Sequence, residues 1–399
     1  MNKSNFFSGQ PIFSQLFSFI PRQIVYNAVL EHQSDRYVKK FDTLHHLISM
    51  LYCCYQGCTS LREVVTGLHA SQGRLQSLNM KFLPARSTLA EANERRCPEV
   101  FEKIYMGVLS RYQHFLTDSH SKDHLLKRSV IIDSTTISLF QEVLGNAGRP
   151  SISGRKKGGI KVHMAVNASQ DVPYFIRMTA AAKADSPFMK EITPPPGSIV
   201  IMDRGYNNFH QLNRWKRAGV DWITRLRSNN VVAVQQDLKT DPTQNVISDQ
   251  YITLGFKNKQ IEQVNCRLIR YYDPQSKRMF EFITSNKRLS AVKIAMLYKQ
   301  RWQIESLFKR LKQNMPLRSF LGDNENAIRI QIWCALLADL LLKIVRCRVK
   351  RKWAFSNLAS FIRLHLMNYT SMMRFLEKPE ACRIINPVPD IQLKLRLSG

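Results

Sequence analysis

The chain has 399 residues, 44% of them hydrophobic and 10% aromatic, a composition that suits an ordinary folded protein of two or three domains. Lys and Arg number 59 against 30 Asp and Glu, for a formal net charge of +29. This excess is spread over the whole length and favours a polyanionic partner, because Lys and Arg release counterions when they meet phosphates. A ribosomal or membrane-surface protein remains open on charge alone.

Residues 1–120 read as helical. The apolar N-terminus MNKSNFFSGQPIFSQLFSFIP is broken by polar residues and has no small-residue cleavage site. FDTLHHLISMLYCCYQG has apolar positions at helical spacing. TSLREVVTGLH carries a Ser60-x-x-Glu63 capping box, and STLAEANERR opens with Thr88-x-x-Glu91. Two short capped helices, the second ending in Arg95-Arg96, suit a helix-turn-helix-like DNA reader, with an ordinary helical bundle as the alternative.

The texture changes at residue 128. RSVIIDSTTISLF, GRKKGGIKVHMAVN and DVPYFIRMTA read as strands, followed by a short helix at DSPFMKEI and the turn TPPPG. SIVIMDRGY is an apolar strand reaching Asp203, NFHQLNRWKRAG a helix closed by Gly219, and VDWITRL another strand. Residues 227–287 alternate short β runs with polar turns, and from 288 to 376 the chain reads as helical, before a polar tail at 377–399. The order predicts an α/β core at 128–226 and 288–376, interrupted by a β-rich insertion and preceded by a helical domain. No window holds the roughly 18 uninterrupted apolar residues of a membrane helix. IQIWCALLADLLLKIV, interrupted by Asp339 and Lys343, reads as a buried helix. The eight cysteines form no C-x-x-C pair and no zinc pattern. A cytoplasmic protein without membrane association is the expectation.

Asp133 closes the apolar run SVIID and Asp203 closes SIVIMD. A carboxylate at the end of a buried strand is costly unless hydrogen-bonded or bound to a cation. Ligands of open α/β sheets gather at the carboxyl ends of strands. Two such aspartates on neighbouring strands would converge and hold Mg²⁺ through oxygen; alternatively each makes a local backbone bond. In YKQRWQIESLFKRLKQNM, Glu305 stands among Lys299, Arg301, Lys309, Arg310, Lys312 and, further on, Arg318. At about 100° per residue, Tyr298, Arg301, Glu305 and Lys312 fall within roughly 60° around one helix. Leu297, Ile304, Phe308 and Leu311 form the adjacent apolar stripe, so Glu305 sits on the seam between core and open face. There it can join Asp133 and Asp203 while Arg301 and Lys312 stay free for phosphate; a solvated helix with Glu305–Lys309 pairing is the plainer alternative.

Asp133-Ser-Thr-Thr, Asp203-Arg-Gly-Tyr and Tyr298-x2-Arg301-x3-Glu305-x6-Lys312 resemble the signatures of DDE transposases of bacterial insertion sequences, in the branch marked by a Y-R-E-K helix (the insertion-sequence-four type). The resemblance covers roughly residues 128–345. It implies an RNase H-like catalytic core in which Asp133, Asp203 and Glu305 bind two Mg²⁺ ions, with Mn²⁺ as a substitute, for cleavage and strand transfer at phosphorus. It further implies that residues 227–287 are the insertion carried by this branch. Tyr298, Arg301 and Lys312 would grip the phosphates of a terminal inverted repeat. The partners would be double-stranded DNA, both repeat and target, and a second copy of the chain, in cut-and-paste movement on the nucleoid without a nucleotide cofactor.

Other residues carry weaker expectations. Trp302 either stacks on an unpaired base or packs in the core. Arg204 and Tyr206 reach DNA or serve the turn after Asp203. Lys161 and His163 share one strand face, and His163 reads as a satisfied surface histidine more readily than as a neighbour of the metal. Arg155, Lys156 and Lys157 contact DNA backbone or form a solvated loop. Two other functions fit parts of the pattern. A DNA-binding regulator needs no paired aspartates, and a structure-specific nuclease on the same fold would lack strand transfer.

Overall fold

The computed structural model describes residues 9–118, 123–138, 148–150, 156–256, 259–317 and 320–382. Seven helices come first: α1 (Ile12–Phe17), α2 (Arg22–His32), α3 (Thr43–Gln56), α4 (Leu61–Ala70), α5 (Arg86–Arg95), α6 (Glu99–Asp118) and α7 (His124–Lys127). Helix α3 starts at Asp42, whose carboxylate accepts the His45 N–H, and stops at Gly57 in the left-handed region (φ 70°). Ser60 caps α4 by accepting the Glu63 N–H at 3.2 Å. The Glu63 carboxylate reaches one residue further than expected, to the Thr59 N–H at 2.7 Å. The second expected box does not form. Helix α5 begins at Arg86, two residues after Pro84, with Ala85 at its N-cap and no side-chain cap, so Thr88 lies inside the first turn. Residues 71–85, with two short 3₁₀ turns, separate α4 from α5, where a helix-turn-helix has a turn of about three or four residues. The pair is therefore not a helix-turn-helix.

A ten-stranded sheet follows, built from β1 (Ser129–Ser138), β2 (Gly148–Pro150), β3 (Lys156–Asn167), β4 (Val172–Ala180), β5 (Ile199–Met202), β6 (Asp221–Arg225), β7 (Asn230–Asp237), β8 (Val246–Phe256), β9 (Lys259–Asp273) and β10 (Arg278–Thr284). β3 pairs antiparallel with β4 and β1, β1 runs parallel to β5, and β5 parallel to β6. All four residues of β5 are buried, as expected of a parallel strand covered on both faces. The connection from β5 to β6 is α8 (Phe209–Arg217), capped by Asn208 and closed at Gly219 (φ 73°). Residues 227–287 do not form a separate sheet: β10 pairs with β6, and β9, β8 and β7 extend the same surface outward. The protein is a mixed α/β structure.

The remaining helices are α9 (Ala291–Lys299), α10 (Trp302–Asn314), α11 (Glu325–Arg348), α12 (Phe355–His365) and α13 (Met372–Glu377). Helix α11 contains the IQIWCALLADLLLKIV run and is buried along most of its length. It packs against α3, α5 and α6, so the N-terminal helices share one core with the C-terminal ones rather than closing a core of their own. None of the described helices is long and apolar enough to cross a membrane.

One buried polar cluster in this core makes stability depend on acid. His46 is fully buried, with Nε2 2.7 Å from Asn93 Oδ1 and Nδ1 accepting from Arg96 Nη1 at 2.9 Å. Burial, then the Arg96 charge, push its pKa down to about 3. The unfolded chain takes up this proton near 6.5, so stability is fully present above that pH and is lost as pH falls from 6.5 toward 3. The loss is on the order of 4 kcal/mol for this group. His46→Gln should flatten the fall of the urea midpoint between pH 6.5 and 4 relative to wild type; an unchanged slope would refute the assignment.

Candidate active site

The register of β1 and β5 sets the two aspartates side by side. Their parallel pairing ends at Ile132 opposite Met202, so Asp133 and Asp203 each lie one residue beyond the last paired step. Asp133 does not end its strand as expected: β1 runs on to Ser138, paired with β3, and Asp133 stands opposite Met164. Asp203 does leave its strand, and its carbonyl accepts the Tyr206 N–H at 3.0 Å in a turn. Across from them, Glu305 occupies the first turn of α10. Ile304, Phe308 and Leu311 are buried and dock that helix, while Asp133, Asp203, Glu305, Arg301 and Lys312 line one open cleft of about 650 Å³.

The expected single helix from Tyr298 to Lys312 is broken. Helix α9 ends at Lys299 and α10 begins at Trp302, joined by 3₁₀-type bonds from Gln300 N to Leu297 O and from Arg301 N to Tyr298 O, both 3.0 Å. Tyr298, near the end of α9, lies inward, 7% exposed, with its ring 4.9 Å from that of Phe282. Arg301 bridges two of the carboxylates: Nη1 is 3.0 Å from Asp133 Oδ2, and Nη2 is 2.7 Å from Glu305 Oε1. Lys312 Nζ donates to Thr135 Oγ1 at 2.8 Å and to the Thr136 carbonyl at 3.1 Å. Neither cation is free as expected: Arg301 neutralises the half-buried Asp133 and Glu305, and Lys312 is held on β1. Burial first, and then repulsion from Asp203 and Glu305, raise the Asp133 pKa to about 6 against the opposing pull of the Ser134 N–H and Arg301.

The transposase DDE domain family matches residues 124–341, more than half of the chain and all of this cleft. The chain belongs to the DDE transposases. Residues 8–81 match a second family, a domain of unknown function (DUF4372). The transposase is 30% identical over 277 residues to a putative transposase y4zB of Sinorhizobium fredii (strain NBRC 101917 / NGR234), covering 68% of this chain and 75% of that one. It is 26% identical over 272 residues to a putative transposase for insertion sequence element IS4SA of Synechocystis sp. (strain ATCC 27184 / PCC 6803 / Kazusa), covering 65% and 71%. Over 236 residues it is 24% identical to a probable transposase for insertion sequence element IS5377 of Geobacillus stearothermophilus, covering 58% and 61%. It is thus an insertion-sequence transposase, an enzyme that cleaves DNA and transfers strands.

The transposase distributes its other predicted site residues unevenly. Trp302 is 65% exposed, which removes core packing as its role, but it faces a second cleft of about 460 Å³ with Lys299, Lys343 and Arg346. Tyr206 is buried beneath the carboxylates with its hydroxyl 3.3 Å from His163 Nδ1. His163 is satisfied but not on the surface: it stacks on Phe188 at 4.9 Å, lies 3.1 Å from Thr179 Oγ1, and burial pushes its pKa down to about 4. Arg204 is exposed, and its carbonyl accepts from Arg227. Lys161 is tied to Asp185 at 3.0 Å. Lys156 and Lys157 open β3 opposite Pro150 and Arg149, and Arg155 lies outside the described residues. Asp185 was not foreseen. It accepts from Ser134 Oγ at 3.0 Å, and a Cβ on Gly205 would sit 3.6 Å from it and 3.9 Å from Asp203, so it belongs to the carboxylate layer. Its only signal in the sequence is its place before the short helix SPFMK.

Among the described residues no three Asp, Glu, His or Cys side chains are gathered closely enough to hold an ion as they stand, because Arg301 lies between Asp133 and Glu305. The donor set nevertheless suits one. Three carboxylates on one cleft are the hard oxygen ligands of Mg²⁺ and Mn²⁺.

Proposed function

We propose that the transposase cuts and joins DNA at the terminal inverted repeats of its insertion sequence, moving it by cut-and-paste, with Asp133, Asp203 and Glu305 as ligands of two Mg²⁺ ions. The convergence of these three carboxylates, from two parallel strands and one helix, on a single open cleft carries this reading. The succession of antiparallel β4, β3 and β1 followed by parallel β5 and β6 supports an RNase H-like core. In this reading residues 227–287 are the insertion that widens the sheet and shapes the DNA path, and residues 1–120 serve recognition of the ends. When bound, the ions supply charge neutralisation at phosphorus, activation of water or a 3′-hydroxyl, and stabilisation of the leaving oxygen.

The chain's own groups do the rest. Arg301 and Lys312, once drawn from their present partners, are the phosphate-binding cations of the cleft, Arg as a planar fork and Lys as a point charge. Tyr298 supports Arg301 from below, with the guanidinium carbon 5.9 Å from its ring centre. Trp302, at the start of α10, offers an exposed face for an unpaired base, and Arg204 adds an exposed cation beside Asp203; Lys156, Lys157 and Lys161 are the further backbone contacts proposed. Two copies acting on paired ends, on the nucleoid, complete the proposal.

The test is cleavage of linear DNA carrying the repeats that flank the gene, in Mg²⁺, in Mn²⁺ and in EDTA. Cuts at the repeat boundary that need either metal, followed by joining to a second duplex, are expected. Specific binding with no cut under either metal would sink the reading in favour of a regulator. Cutting without joining would favour a nuclease.

A further inference from the structure

The same guanidinium is wanted in two places. Arg301 is 13% exposed and spends two of its nitrogens on Asp133 and Glu305, oxygens that a divalent ion needs. Its Nε is buried without a partner among the described residues, so the pairing leaves it incompletely satisfied. The backbone under it is the 3₁₀ junction between α9 and α10, where Gln303 N bonds Gln300 O at 2.9 Å and Ile304 N bonds Arg301 O at 3.2 Å. A 3₁₀ stretch that interrupts helical winding often marks a hinge or a strained sequence. Of the cleft's two other cations, Lys309 is exposed, and Lys312 is held by Thr135 and Thr136 and does not touch the carboxylates.

We infer that Arg301 is an exchangeable counter-ion: it holds Asp133 and Glu305 together until a divalent cation displaces it, and the released guanidinium then takes a DNA phosphate. The inference rests on the reading of the three carboxylates as metal ligands. A half-buried guanidinium stripped of its carboxylates is costly until an anion reaches it. Metal therefore raises the affinity for phosphate, and phosphate, by drawing Arg301 away, raises the affinity for metal by the same factor. The coupling makes the carboxylates more receptive to the cation when DNA is present.

The experiment titrates Mn²⁺ into the full chain, followed by the electron paramagnetic resonance of free ion, with and without a repeat duplex ending in a 3′-dideoxynucleotide. For wild type, the duplex should tighten Mn²⁺ binding at least about fivefold, within the usual range for coupled sites. Arg301→Gln should bind Mn²⁺ more tightly than wild type without DNA and lose the enhancement. Arg301→Lys, which keeps the charge with fewer donors, should fall between them and guards against misfolding of the first variant. Weaker Mn²⁺ binding by both variants without DNA would mean that Arg301 builds the site rather than occupying it, and overturns the inference. Equal binding by wild type and Glu305→Gln would instead overturn the metal-ligand reading beneath it.

Discussion

Asp203→Asn is expected to abolish metal-dependent cleavage while the variant folds and binds repeat DNA as wild type does. The substitution keeps the shape of the side chain and leaves the Tyr206 N–H to Asp203 carbonyl bond intact, so the turn after β5 survives. What it removes is one of the negative oxygens lining the cleft. Loss of a group that merely orients a metal ligand costs about 10- to 100-fold, so loss of a ligand should exceed about 100-fold in single-turnover cleavage. A second readout is independent of DNA. Asp203 is among the charges that hold the Asp133 pKa up near 6, so the Asp133 proton should come off at lower pH in the variant. Cleavage within about tenfold of wild type would show that the ligand is elsewhere.

Asp339→Asn should lower the unfolding free energy by about 3–5 kcal/mol, the usual cost of breaking a buried ion pair from one side. Arg310 reaches Asp339 with Nε at 2.9 Å and Nη2 at 3.0 Å, and Asp171 with Nη1 at 2.7 Å. Lys343 completes the cluster, 2.9 Å from Asp171 Oδ2, and the Arg310 guanidinium lies over Phe355. The side chains of Asp339 and Lys343 are only 6% and 3% exposed, so water cannot replace a lost partner. Arg310 follows Glu305 by five residues on α10, and the cluster ties that helix to α11 and to the turn before β4. The double change Arg310→Met with Asp339→Leu should recover much of the loss, since exchanging a whole buried pair for apolar groups is often neutral or stabilising. Urea midpoints and slopes decide it: a single-variant loss under about 1 kcal/mol would place the cluster in the solvated class.

By itself the sequence determined the parts that depend on local pattern. The apolar runs SVII and SIVIM read as buried strands, and a carboxylate directly after each stood out because such a position is costly without a partner. The alternation of Ile304, Phe308 and Leu311 with Glu305 and Lys312 likewise set which side of α10 faces the core, and burial agrees. Only the tertiary structure decided the pairings. Arg301 meets Asp133, 168 positions away, through the register of β1 against the docking of α10, and nothing local encodes that meeting. The same holds for Asp185 beside Ser134, for the shared core of α11 with α3, α5 and α6, and for Trp302 turning to a second cleft. The 3₁₀ junction that breaks the expected helix was hidden for a related reason. Helical periodicity continues through it, whereas the tighter hydrogen bonding at Gln300 and Arg301 belongs to the packing of α9 and α10 as separate rods. Periodicity tells which face is apolar; it cannot tell which distant polar group will arrive there.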